Sequence, residues 1–152
     1  MSIYVMKLNK DRCISCKACE VHCKVKNDLP IGIKYAVHTS CGPELKDGKV
    51  VIRTAFRSCY HCENPNCVEA CPTGAMTQRE SDGLVYVQTD ICIGCKACID
   101  ACPWHIPTYF EERNVVGKCD YCMDRLDAGL LPACVTSCTT HALRFEKKKS
   151  AS

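Results

Sequence analysis

The sequence predicts an α+β fold of short helices and β-hairpins, repeated in two halves. Three observations predict it. Sixteen of the 17 cysteines fall into four runs of four. The segments between the runs are short, partly alternating in polarity, and punctuated by turn signals such as Gly42-Pro43, Asp47-Gly48 and Ser81-Asp82-Gly83, which is the pattern of hairpins. Aromatic residues make up only 7% of the 152 residues, with three Phe and one Trp. An ordinary apolar core would be thin, so something other than side chains must fill the middle.

The cysteine spacing says what that is. Cys92-Ile-Gly-Cys95-Lys-Ala-Cys98-Ile-Asp-Ala-Cys102-Pro103 puts three cysteines at every third position, then a fourth before a proline. This is the bacterial ferredoxin run C-x2-C-x2-C-x3-C-P, whose fourth cysteine ligates the other cluster in two-cluster ferredoxins. It therefore demands a partner run. Cys13-Ile-Ser-Cys16-Lys-Ala-Cys19-Glu-Val-His-Cys23 is nearly a copy, and two divided runs complete the set: Cys59, Cys62, Cys67 and Cys71, and Cys119, Cys122, Cys134 and Cys138. A loop-type run is followed each time by a divided run, so the chain reads as an internal repeat. Two modules are expected within one compact domain spanning 1–152. Module one takes runs 13–23 and 119–138, module two takes runs 59–71 and 92–102, and 24–58 is a hairpin insertion.

Other uses of cysteine fit less well. A disulfide scaffold conflicts with the odd number of cysteines and with the cluster spacing. Zinc would suit the last run alone, but zinc ribbons use pairs of cysteines rather than triplets followed by a fourth. Cysteine-capped 4Fe-4S clusters also change the charge. The formal +3 counts thiols as neutral, whereas four oxidised clusters with their thiolates contribute about −8 and leave the loaded chain near −5. A nucleic-acid-binding role is therefore not expected. Lys17 and Lys96, inside their loops, either offset cluster charge or are solvated. Because such sites exist only in the folded state, the metal-free chain is expected to be largely unfolded.

In chain order, residues 3–8 read as a strand entering the first loop. Cys23 lacks the proline that follows Cys71 and Cys102, so the end of the first helix is weakly signalled. Residues 33–40 and 49–56 read as a hairpin, with Cys41 at or near its tip as a free thiol outside every set. Residues 75–79 and 84–88 form a second hairpin delivering the chain to Cys92, and one from 109–110 to 115–116 delivers Lys118 to the last run. Residues 124–130 read as a short helix stopped near Pro132, and Lys147-Lys148-Lys149 as a disordered end. The segment Cys134 to Leu143 echoes Cys67 to Met76. No apolar run approaches the length of a membrane span, and the chain is expected to be cytoplasmic with no membrane anchor of its own.

The block Cys59-x-His61-Cys62-x-x-Pro65-x-Cys67-x-x-x-Cys71-Pro72-Thr73-Gly74-Ala75, with Lys118-Cys119-Asp120-Tyr121-Cys122, resembles the four-cluster iron-sulfur subunits of molybdenum- or tungsten-pterin oxidoreductases. Formate dehydrogenases and dimethyl sulfoxide reductases have such subunits, and the small subunit of some tungsten aldehyde oxidoreductases is similar. The resemblance covers nearly the whole chain. It implies four 4Fe-4S clusters with swapped fourth ligands. Cys13, Cys16, Cys19 and Cys138 would hold cluster 1, and Cys23, Cys119, Cys122 and Cys134 cluster 2. Cys59, Cys62, Cys67 and Cys102 would hold cluster 3, and Cys71, Cys92, Cys95 and Cys98 cluster 4. Cys95 is present where some relatives lose a cysteine and hold a 3Fe-4S cluster. Thr139-Thr140-His141 departs from the Pro-Thr-Gly common at that point, and His141 either lies near cluster 1 or is a surface residue. His61, between two ligands, is expected to bond to backbone.

No nucleophile–base set, phosphate loop or catalytic carboxylate pair is present, so the chain is expected to be non-catalytic. Its expected task is to relay single electrons between a large molybdenum- or tungsten-pterin catalytic subunit, of aldehyde or formate oxidoreductase type, and a second redox partner. A flavoprotein or NAD-linked subunit, or a soluble ferredoxin, would be that second partner in a hetero-oligomer. The alternative is a free-standing soluble polyferredoxin.

Overall fold

The computed structural model describes residues 3–148. Eight strands pair into four separate two-stranded antiparallel sheets, joined by five short helices. The arrangement is a small α+β fold of hairpins and short helices.

Strand β1 (Tyr4–Leu8) pairs with the last strand, β8 (Leu143–Lys147), from Tyr4↔Lys147 to Leu8↔Leu143. Lys147 thus lies in a strand and Lys148 N–H donates to the Ile3 carbonyl at 2.7 Å. The lysine end is ordered up to that point, and Lys149 lies outside the described residues. After β1, a single 3-10 turn capped by the Asn9 side chain feeds the Cys13 loop. Helix α1 (Ala18–Lys26) starts from Lys17 at φ 60°. It runs on past Cys23 because no proline stops it, and ends where Asp28 takes φ 46°.

The hairpin β2 (Val37–Lys46) and β3 (Lys49–Arg57) turns at Asp47-Gly48, both at positive φ, as a two-residue hairpin turn requires. The strand starts later than expected, and Gly42-Pro43 is not a second turn. It is a cis peptide bond inside β2, at the register shift between Cys41 and Glu44. Cys41 therefore pairs with Arg53 along the strand and is not at the tip. Gly42 sits at φ 117°, and a Cβ there would press on the Val51 carbonyl.

Helix α2 (Asn66–Glu69) precedes the hairpin β4 (Met76–Gln78) and β5 (Val85–Val87), which leads to α3 (Ala97–Asp100). Strands β6 (Thr108–Phe110) and β7 (Val115–Gly117) form the last hairpin, turning through Glu111–Arg113 with Asn114 at φ 49°. Helix α4 (Met123–Asp127) is shorter than expected because Gly129 at φ 74° ends it before Pro132, and Pro132 instead opens α5 (Ala133–Thr136).

Apolar side chains collect in three clusters. One packs Cys134, Val135 and Leu143 with Met6, Leu8 and Phe56 between α5 and β1·β8. Another packs Met76, Val85, Cys98 and Val116 around β4·β5. The third joins them through Leu84, Cys59, Cys119 and Tyr121, with Tyr4, Tyr35 and Phe145 against it. Cysteines belong to all three, so the core is sulfur-lined throughout.

Candidate metal centres

The two loop-type runs adopt matching local geometry. Cys13 N–H bonds to Lys10 O at 3.3 Å and Cys92 N–H to Thr89 O at 3.2 Å. Both loops then pass through left-handed residues, Ser15 and Lys17 in one and Gly94 and Lys96 in the other, before the helix begins. These left-handed turns curl each loop around a common centre. The divided runs match as well. Met76 N–H donates to Cys71 Sγ at 3.3 Å and Leu143 N–H to Cys138 Sγ at 3.4 Å. Asn9 N–H reaches Ala142 O at 2.8 Å where Gln88 N–H reaches Ala75 O at 2.7 Å.

Three cavities are each lined by four cysteines from distant parts of the chain. Cys13, Cys16, Cys19 and Cys138 share one, with His38 and Thr140. Cys59, Cys62, Cys67 and Cys102 share another, with Lys118 and Trp104. Cys71, Cys92, Cys95 and Cys98 share the third. The remaining quartet, Cys23, Cys119, Cys122 and Cys134, is wholly buried. Burial pushes the Cys23 thiol up to about 12, with Cys122 adding to it. Cys134 is raised by burial first, then by Cys23, Cys122 and Cys19. Three quartets thus line a cavity each, the fourth set lies in the core, and Cys41 stands apart, exposed on β2.

Cysteines of neighbouring quartets act on one another electrostatically. Cys134 feels Cys19 of the first quartet. Cys119, raised well above the ordinary thiol range by burial, feels Cys59 of the third. Cys98, raised to about 11 by burial, feels Cys71 of its own quartet and then Cys67 of the third. The order is first, second, third, fourth.

These cages fit cysteine-bound clusters. Four cysteine sulfurs line each of the three cavities, and His38 is the one histidine among their lining residues. Backbone N–H groups aim at Cys59, Cys71, Cys92 and Cys138 Sγ at 3.3–3.4 Å, as acceptor thiolates require. At Cys71 and Cys138 the upward push of burial is outweighed by such bonds, and both thiols are lowered. Cys19, Cys23, Cys62, Cys67, Cys98, Cys119, Cys122 and Cys134 are raised by burial, an unfavourable state for bare thiolates that bound iron would relieve by its charge. Among the described residues no three His, Cys, Asp or Glu side chains close tightly enough around a single metal ion, and zinc–sulfur bonds of about 2.3 Å would need that.

Of the two readings of His141, the structure favours the surface one. His141 is exposed and lines none of these cavities. The histidine beside the first quartet is His38, which is 4% exposed with Nε2 at 3.4 Å from Cys13 Sγ. Its only sequence signal is a polar residue in a strand, 25 positions from Cys13. His61 is fully buried and accepts from Val85 N–H at Nδ1, 2.9 Å, a bond to backbone. Lys17 and Lys96 are exposed, Lys96 lying over the Tyr109 ring at 3.9 Å.

Residues 50–148 match the model of the 4Fe-4S dicluster domain, and residues 10–26 match a 4Fe-4S binding domain. The chain is 44% identical over 144 residues to the thiosulfate reductase electron transfer subunit PhsB of Salmonella typhi, covering 93% of this chain and 74% of that one. It is 40% identical over 149 residues to a chain of the anaerobic dimethyl sulfoxide reductase of Escherichia coli K12, covering 93% and 72%. It is 40% identical over 136 residues to a subunit of the tetrathionate reductase of Salmonella typhimurium, covering 89% and 54%. No helix among the described residues is long and apolar enough to cross a membrane. By these matches the chain belongs to the family of 4Fe-4S electron-transfer subunits of molybdopterin oxidoreductases.

Proposed function

We propose that this chain forms a four-station row, with each quartet described above holding one 4Fe-4S cluster and each fourth cysteine donated by the partner run. The single observation that carries the reading is the assembly of each quartet from two distant runs, in an order that makes adjacent quartets neighbours. Two duplicated modules then abut, module one holding clusters 1 and 2 and module two holding clusters 3 and 4, with 24–58 as an inserted hairpin. The matching bonds at Cys13 and Cys92, and at Cys71 and Cys138, support the duplication. When bound, the clusters supply one-electron transfer. The chain's own part is to cap every iron, exclude water from the second station and present the end stations to partners. Cys16 and Cys95, one in each end quartet, are exposed, whereas the second quartet is buried.

One partner is a molybdenum- or tungsten-pterin catalytic subunit, in keeping with the family to which the chain belongs; the relatives' names make them components of reductases. The second partner is a flavoprotein or NAD-linked subunit or a soluble ferredoxin, in a hetero-oligomer. The cytoplasm, which keeps thiols reduced, is the compartment this reading fits. Those relatives are components of reductases, which leaves a free-standing carrier without support. Cys13→Ala and Cys138→Ala test the reading. Both variants are expected to lose the same paramagnetic signal, although the residues lie at opposite ends of the chain. Distinct losses, with the Cys138→Ala loss matching that of Cys119→Ala, would mean that the runs close locally.

A further inference from the structure

Lys118 is the only buried lysine or arginine among the described residues, at 5% exposure. Its Nζ donates to the Val85 carbonyl and, at 2.8 Å, to the Cys119 carbonyl. It lines the cavity of Cys59, Cys62, Cys67 and Cys102. No carboxylate pairs with it among the described ion pairs. A buried cation satisfied only by carbonyls is costly unless a nearby anion balances it. Two positions on, Asp120 does the opposite. Its Oδ1 accepts from Cys122 N–H at 2.8 Å, and its charge acts on Cys23 and Cys122 of the neighbouring quartet. The other charges near that quartet, Lys26 and Asp124, are paired at 2.9 Å and largely offset each other.

The junction beside Lys118 is buried, and Asp120 is half-buried at its edge. His61 and Tyr121 fill the junction of the two quartets, 0% and 3% exposed, with ring centroids 3.9 Å apart. Screening there is weak, so a fixed charge acts with more force than a surface lysine does. A cation stabilises the reduced, more negative state of a cluster, and an anion destabilises it.

We infer that the tripeptide Lys118-Cys119-Asp120 is a built-in charge step that makes the third station easier to reduce than the second. The inference rests on the ligand sets proposed above. One electron moves across the junction, from the station of Cys23, Cys119, Cys122 and Cys134 to that of Cys59, Cys62, Cys67 and Cys102. No bond is made or broken and no proton is required. Lys118 and Asp120 are positioning residues here, setting an equilibrium without binding iron.

The test is a redox titration followed by paramagnetic resonance on the full chain in its complex, with Cys102→Ser and Cys122→Ser used to assign the third and second signals. In the unsubstituted protein the third station is expected to titrate at the higher potential, and the reverse order overturns the charge step. Lys118→Met is expected to make the third station at least tenfold harder to reduce, about 59 mV for one electron. The end stations should move by less than a third of that, and Lys118→Arg should restore the value. Asp120→Asn keeps the acceptor for Cys122 N–H and is expected to ease reduction of the second station only. Equal movement of all stations, or no movement in either variant with full iron content, overturns the inference. If Cys102→Ser instead removes the signal that Cys98→Ser removes, the ligand sets fail and the charge step falls with them.

Discussion

Cys13 has a neighbour that its own loop does not supply. His38 is buried on β2, with Nε2 at 3.4 Å from Cys13 Sγ. A thiolate bound to iron has no proton to give, so in the loaded protein Nε2 must be the donor. An N–H aimed at cluster sulfur favours the reduced state. His38→Leu keeps the volume and removes the donor. It is expected to lower the potential of the first station by about 1 kcal/mol, several tens of mV for one electron, with iron content unchanged. A potentiometric titration that leaves this station unmoved would make His38 a packing residue only. The cysteine runs were legible in the sequence because cluster chemistry fixes their spacing locally. His38 was not, because its role depends on where a separate hairpin docks. His141 drew attention instead because it lies next in line after a ligand.

The elements show the same division between local and distant causes. Turns were legible where glycine and aspartate dictate them, as at Asp47-Gly48 and Ser81-Asp82-Gly83. Gly42-Pro43 carries the same letters yet sits inside β2, since pairing partners on β3 continue past it and absorb it as an irregularity. The β1·β8 pairing joins positions 139 apart, so no local pattern could announce it. Only the echo of Met76 by Leu143 hinted that the last segment would behave like β4. Among the loops, Gly94 has the least freedom to change. It holds φ 67°, and a Cβ there would run into the Asn114 side chain and carbonyl. Ser15 takes φ 56° at the matching point of the first loop, so the backbone angle alone is tolerable and the Asn114 collision decides the outcome. Gly94→Ala is therefore expected to destabilise by about 1–3 kcal/mol and to release the fourth cluster first on heating. Simultaneous bleaching of all clusters in the variant would argue that the loop does not act alone.

At the scale of the whole molecule, the proposed row has two ends and one closed station, the second. Cys16 and Cys95 are exposed at the end quartets, beside Ile14 at 64% and Ile93 at 58% exposure. The second quartet is buried. Cys62 of the third is exposed as well, in a cavity that also carries the tilted Tyr60–Trp104 pair, with centroids 5.2 Å apart. Flow along a row needs entry and exit at opposite ends, and we take the station of Cys13, Cys16, Cys19 and Cys138 as the one facing the catalytic subunit. Cys16→Ser is expected to block entry, so that substrate added to the intact complex leaves the other stations oxidised. Cys95→Ser is expected to let substrate reduce the first three stations while delivery to the acceptor slows, because the exit alone is impaired. Freeze-quenched paramagnetic resonance distinguishes the two. The mirror pattern, with Cys95→Ser leaving every station oxidised, would reverse the direction of the row. Normal delivery in Cys95→Ser with its cluster lost would make the exposed Cys62 the exit, and the row would then end one station early.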